Sequence, residues 1–240
     1  MPMSEPLVVL WEDPHGLAVD KPAGLLTQGR VDGEQTLEDR VRRHLRPEDP
    51  ASVYLGTVHR LDRPVSGVVL WAKTPRSARR WADQFARRLA RKEYWALVED
   101  GGDSGSLATA GTWDDFLAPI DSSGRVLVVA GPEGREATRA LTRFEVGRGR
   151  VVAPGSLWLI LRPETGRTHQ LRAQAASRGF PIVGDAAYGS NRAFPAGIAL
   201  HARSLTVEHP ITGLPVVAKA SPPRTWDSWL TSADDPVSQR

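Results

Sequence analysis

Residues 59–67 read His-Arg-Leu-Asp-Arg-Pro-Val-Ser-Gly, one carboxylate between two arginines, followed by the apolar run Val68–Trp71. Three chemistries can be drawn from these residue types. A hydrolase triad of His59, Asp62 and Ser66 is disfavoured, because Ser66 lies in no Gly-x-Ser-x-Gly elbow and triad members normally come from separated segments. A metal centre needs three converging ligands, and none of the six histidines forms a His-x-x-x-His pair. The third is an isolated carboxylate used as nucleophile or base. Such a group must stay ionised in a largely dry pocket, which a nearby cation favours. Arg60 and Arg63 are local candidates for that cation, and Arg167 and Arg172 are candidates from far along the chain. On spacing alone, an Asp62 that merely caps a turn fits equally well.

Two other segments carry chemistry-bearing residues. Thr165–Arg172 (Thr-Gly-Arg-Thr-His-Gln-Leu-Arg) places two arginines around a predicted helix start, where an anionic ligand or an internal carboxylate is a natural partner; His169 reads as structural. Tyr94 sits at a predicted helix-to-strand switch, a position that suits a core ring or a ring stacked on a base. Between these segments, Ala78, Trp81, Ala82, Phe85, Ala86 and Leu89 recur at helical spacing. The opposite face would carry Arg79, Arg80, Arg87, Arg88 and Arg91. A solvated face accounts for such a stripe, and so does a track for phosphates.

The elements that must position these residues are short. Leu7–Trp11 and Leu17–Val19 predict a hairpin around Asp13-Pro14-His15-Gly16. Thr36 predicts the N-cap of a helix to about Leu45, with Asp39 at the capping-box position. Val53–Val58 and Val68–Ala72 read as strands bracketing the Asp62 segment, and Lys92–Val98 as another. Gly101–Gly111 reads as a flexible linker. Trp113–Leu161 reads as all β, broken at Ser123-Gly124, Gly131-Pro132 and Pro154-Gly155, with Gly147–Arg150 as an exposed basic hairpin tip. A helix is predicted from the Thr165 segment to about Ser177, and a last β pair at Leu205–Glu208 and Val216–Ala220. The tail with Asp234 and Asp235 reads as frayed.

With 40% hydrophobic and 25% charged residues, the 240-residue chain has globular composition. Its pI of about 9.6 rests on arginine. Only four of the 31 basic residues are lysine, so the placement of arginines carries more weight than their number. With no cysteine, disulfides, thiolate catalysis and cysteine-bound zinc are excluded. No Gly-x-Gly-x-x-Gly or P-loop pattern occurs. No secretory leader and no apolar run of roughly 20 residues is visible, so the chain reads as a soluble cytoplasmic protein with no membrane association.

Taken together, KPAGLL at 21–26, HRLDRPVSG at 59–67, KEYWALV at 92–98, TGRTHQLRAQ at 165–174, GDAAYG at 184–189 and LHA at 200–202 resemble the RluA family of RNA pseudouridine synthases, in order and spacing, from about residue 7 to 222. The resemblance implies an α+β pseudouridine synthase fold: a mixed, mostly antiparallel central sheet flanked by helices, with a catalytic cleft across it. It implies one catalytic domain over 1–240, with 223–240 as a tail. It also implies isomerisation of uridine in a tRNA or rRNA stem-loop, by a monomer with no cofactor and no metal. Residue by residue, Asp62 matches the catalytic aspartate. Tyr94 matches the tyrosine that packs against the target base, and Arg172 the arginine that pairs with the aspartate. Leu171 matches an apolar pocket wall, and Arg60 the residue that takes the flipped nucleotide's place. His59, Arg63, Lys92 and Arg167 fall on the RNA side, with Arg79, Arg80, Arg87 and Arg88 as further RNA contacts. Pro64-Val65 stands where many members have Asp-Thr. No separate RNA-binding domain is expected ahead of KPAGLL. The alternative from a different class is an RNA-binding or chaperone protein on a retained synthase scaffold.

Overall fold

The structure, a computed structural model, describes residues 6–29, 33–100, 107–131 and 137–232. It is α+β, and it divides into two compact units, residues 1–91 with 202–221, and residues 92–201 with 222–240. In chain order the elements are β1 (Val8–Glu12), β2 (Gly16–Lys21), α1 (Leu37–Leu45), β3 (Gly56–Thr57), β4 (Ser66–Ala72), α2 (Pro75–Ala86) and β5 (Arg91–Glu99). There follow β6 (Ala110–Leu117), β7 (Val128–Val129), β8 (Thr138–Val146), β9 (Arg150–Val152), β10 (Ser156–Pro163) and α3 (Gln170–Ala176). The last are β11 (Leu200–Glu208), β12 (Pro215–Lys219) and β13 (Leu230–Ser232).

The first unit holds strands in the order β1-β2-β4-β11, with β3 on β4 and β12 on β11. Every residue of β4 is buried, as its unbroken apolar run requires of a strand covered on both faces. α1 begins as predicted: the Thr36 side chain accepts from the Asp39 N–H, and the Asp39 carboxylate accepts from the Thr36 N–H. α2 starts on Thr74 with Pro75 in its first turn, and its buried Trp81 packs in a cluster with Val68, Leu70, Leu205, Val207 and Ala218. Burial of a side chain this large stabilises the unit by about 1.5–3 kcal/mol.

α2 ends earlier than its apolar spacing predicts. Arg88 is left-handed, with φ of 61°, and the Leu89 N–H reaches back to the Gln84 carbonyl. This six-to-one bond closes a Schellman turn. Arg87 therefore caps the helix, Arg88 and Leu89 lie past it, and Arg91 opens β5. The five arginines do not share one helical face. The predicted strand at Val53–Val58 shrinks to the two residues of β3, because Pro50–Ser52 forms a 3₁₀ turn just before it.

The second unit holds strands in the order β5-β10-β8-β6-β7, with β9 paired to β13 apart from them. β5/β10, β10/β8 and β8/β6 are antiparallel. Gly147–Arg150 is not a simple hairpin tip: β8 and β10 are neighbours, but Arg150–Val152 between them pairs with Leu230–Ser232 instead. Residues 223–232 are thus more than a tail: Trp226 and Leu230 are buried, and Leu230–Ser232 forms β13. Ala110 and Gly111 belong to β6. The rest of the expected linker at 101–106, Pro132, and the tail with Asp234 and Asp235 lie outside the described residues.

Candidate active site

Asp62 sits in the connection between β3 and β4, half-buried, at a turn in which the Val65 N–H donates to the Asp62 carbonyl. The 21–27 segment grips both of its neighbours. The Thr27 hydroxyl donates to the Leu61 carbonyl at 2.7 Å and accepts from the Leu61 N–H at 3.3 Å. The Lys21 ammonium and the Gly24 N–H both donate to the Arg63 carbonyl, at 3.1 and 2.8 Å. Lys21 also donates to the carbonyls of Leu25 at 2.7 Å and Pro22 at 3.0 Å. It is fully buried, and burial pulls its ammonium down to about 7, against the opposing pull of the Asp62 carboxylate. After the turn, Gly67 has φ of 113°, and a Cβ there would lie 2.3 Å from the Ala202 carbonyl oxygen. Only glycine lets β4 leave the loop at that angle.

The other residues of the motif point to different duties. Arg60 is exposed, with no hydrogen bond or ion pair to any described residue. Arg63 pairs with Glu34 at 2.6 Å and donates to the Gly24 carbonyl. His59 accepts the Leu70 N–H on Nε2 at 2.9 Å, and its ring stacks on Phe85 of α2 with centroids 4.9 Å apart. Its acceptor and its ring face are thus committed inside the first unit.

In the second unit, Tyr94 stands on β5 opposite Leu161 of β10, half-buried. Lys92, two residues before it, donates to the Thr165 carbonyl at 2.8 Å, and burial pulls its ammonium down to about 8. That bond fixes the start of the 165–174 segment. Gln170 and Gln174 then seat α3. The Gln170 amide accepts from the Thr165 hydroxyl and the Arg167 N–H, and donates to the Leu141 carbonyl and the Thr142 hydroxyl. The fully buried Gln174 accepts from the Thr142 hydroxyl at 2.7 Å and donates to Asp115 and the Ala140 carbonyl. Buried amides satisfied on both ends set one register for the helix. Arg167 lies exposed and donates to the Arg139 carbonyl at 3.3 Å, and Leu171 is buried.

Arg172, on the third residue of α3, is 6% exposed. Its Nε and Nη2 donate to the two oxygens of Asp185 at 2.7 and 2.9 Å, a bidentate buried pair. The Tyr188 ring lies 4.8 Å from the guanidinium carbon. A guanidinium gripped on one edge and one face keeps its aim. Asp185, Tyr188, Lys21, Thr27, Gln170 and Gln174 have no assigned role in the sequence reading. All six lie in or beside quoted motifs, and that placement was the available signal.

A half-buried carboxylate on a clamped turn, a bidentately held buried guanidinium and a half-buried tyrosine are the side chains on which the resemblance to pseudouridine synthases rests. The fold agrees. A solved structure titled Human RNA Pseudouridylate Synthase Domain Containing 1 matches with a TM-score of 0.74 and 25% identity, over 100% of this chain and 95% of that one. Human RNA Pseudouridylate Synthase Domain Containing 4 matches with a TM-score of 0.70 over 92% of this chain and 90% of that one; at 22% identity it speaks for the fold alone. By sequence, the RNA pseudouridylate synthase family model matches residues 15–177. Ribosomal large subunit pseudouridine synthase D of Xanthomonas campestris is 36% identical over 92% of this chain and 68% of its own length. The tRNA pseudouridine synthase C of Salmonella typhi is 32% identical over 94% of this chain and 89% of its own length. The chain belongs to the RluA family of RNA pseudouridine synthases.

Proposed function

We propose that this enzyme isomerises uridine in a stem-loop of tRNA or rRNA, with Asp62 as the catalytic carboxylate. The observation that carries the reading is the double clamp on Leu61 and Arg63, which holds the intervening carboxylate on a rigid support. In the reaction the bond from C1′ to N1 breaks, the uracil turns, and C5 bonds to C1′. C5 gives up a proton and N1 gains one, so no redox partner is needed. The target nucleotide must leave the stack, because C1′ and the ring are shielded in a helix. Arg60, exposed and with no side-chain partner among the described residues, takes the space it leaves. Tyr94 packs against the flipped base, Leu171 forms an apolar wall, and Arg172 takes the part of the arginine that the family motif assigns to the catalytic aspartate.

RNA affinity comes from the first unit's surface. α2 and the turn between β11 and β12 enclose an open groove of about 1000 Å³ lined by Arg76, Arg79, Arg80 and Arg87, against Asp83 and Glu208. Arg80 donates to the Pro210 carbonyl and Arg87 pairs weakly with Asp83 at 3.4 Å. The side chains of Arg76, Arg79 and the nearby Arg88 make no hydrogen bond or ion pair with a described residue, which leaves them for phosphates. His59, Arg63, Lys92 and Arg167 serve the RNA side indirectly, by bracing the segments that meet it. The enzyme acts as a monomer in the cytoplasm; among the described residues no helix is long and apolar enough to cross a membrane. Mapping pseudouridines in tRNA and rRNA from cells with and without this gene tests the reading. Loss of a discrete site is expected, and an unchanged map in both RNA pools would refute it.

A further inference from the structure

The Tyr188 ring lies against Arg172, and its hydroxyl is engaged on two sides. Asp185 and Tyr188 come from a single tight turn, in which the Tyr188 N–H donates to the Asp185 carbonyl at 2.9 Å. Gly189 closes it with φ of 91°. One turn therefore supplies the carboxylate for the edge of Arg172 and the ring for its face. The hydroxyl then reaches past Arg172. It accepts the Val126 N–H at 2.8 Å and shares a 2.9 Å hydrogen bond with His169 Nδ1. His169 is the left-handed residue, φ 52°, from which α3 starts. Val126 is buried with Leu117, Ala140 and Ala173, and Tyr188 packs against this cluster.

We infer that Tyr188 is a positioning residue for the reaction: its ring fixes the guanidinium of Arg172, and its hydroxyl fixes the helix entry that carries Arg172. The inference rests on the proposed role of Arg172 and goes beyond it. A hydroxyl spent only on packing needs one partner. This one joins the entry of α3 to the segment before β7 while its ring holds the working side chain. Small displacements of a catalytic group cost on the order of 100-fold in rate. Tyr188→Phe keeps the ring and the contact to Arg172 but removes both hydrogen bonds.

The test uses full-length protein and total RNA from cells lacking the gene, with pseudouridine formation followed in single turnover. Tyr188→Phe is expected to slow the rate at saturating enzyme on the order of 10- to 100-fold. RNA binding should stay within about twofold, and the variant should remain folded at the assay temperature despite the lost acceptor for the Val126 N–H. His169→Ala should slow the step similarly, and the double variant should lose less than the product of the two single losses, because the two residues share one hydrogen bond. Tyr188→Leu, which also removes the ring, should be slower still. A Tyr188→Phe rate equal to wild type, or multiplying losses in the double variant, would overturn the inference. Asp62→Ala run beside it separates the two ideas. If Asp62→Ala is inactive and Tyr188→Phe is unimpaired, only the role of Tyr188 falls. If wild type forms no pseudouridine, both fall.

Discussion

Replacing Lys21 with methionine removes the ammonium that ties the 21–25 segment to the Asp62 turn. Three carbonyls lose a donor, those of Pro22, Leu25 and Arg63. The Arg63 carbonyl keeps the Gly24 N–H, so two carbonyls are left without a partner, each at a cost of about 1–3 kcal/mol. Against this stands the cost of the lysine itself, whose ammonium is pulled by burial from 10.5 to about 7. At about 1.4 kcal/mol per pH unit, holding that proton or shedding it at pH 7 costs roughly 4–5 kcal/mol relative to water. The two effects nearly cancel near neutrality. They separate in alkali. Between pH 7 and 10.5 the unfolded chain holds a proton on Lys21 that the folded chain does not, so folding releases a proton and wild-type stability rises with pH. The methionine variant lacks this slope. Urea unfolding at pH 7, 8 and 9 should show the wild type gaining on Lys21→Met by roughly 2 kcal/mol across that range. Parallel stability curves for the two proteins would refute the buried-amine argument. A variant that unfolds with wild-type stability at pH 9 would refute the hold of the Lys21 amine on these carbonyls.

Other perturbations have defined outcomes. Burial raises the Asp20 carboxyl from 3.8 to about 6, so its favourable contribution is complete below pH 3.8 and lost as pH rises through 6. Asp20→Asn should therefore stabilise the protein by about 1–3 kcal/mol at pH 8 and by little at pH 4, read by thermal unfolding; no gain at pH 8 would contradict this. Gly67→Ala drives a Cβ into the Ala202 backbone at a φ of 113° and should cost about 3 kcal/mol or more. A thermal midpoint unchanged in that variant would show that β4 leaves the loop by another path. Replacing Arg79, Arg80, Arg87 and Arg88 with glutamine should weaken RNA binding and flatten its salt dependence by about 0.7–0.9 in logarithmic slope per lost phosphate contact. An unchanged slope would return these arginines to a solvated surface.

Local signals made some elements legible and non-local ones hid others. Thr36 and Asp39 announce α1 because a capping box is written within four residues. The end of α2 was hidden because Arg88, not glycine, takes the left-handed position, and Leu89 keeps the helical spacing while standing 47% exposed. The pairing of β9 with β13 joins segments some 80 residues apart with three residues each, too short for any periodicity. The site divides in the same way. Asp62, Tyr94 and Arg172 stand out because their motifs are specific, whereas their supports do not. A lysine is rarely fully buried, so nothing in its neighbours announces Lys21 as the hub of three carbonyls. The Asp185 pair with Arg172 spans 13 residues, and spacing alone cannot choose between it and a more distant carboxylate.

The central claim, that Asp62 performs the isomerisation, is tested most directly in cells lacking this gene by supplying either the wild-type protein or Asp62→Ala at matched abundance and mapping pseudouridine in tRNA and rRNA. The wild type should restore the missing site and Asp62→Ala should leave it as uridine while still binding RNA. Restoration of pseudouridine by Asp62→Ala would contradict the account.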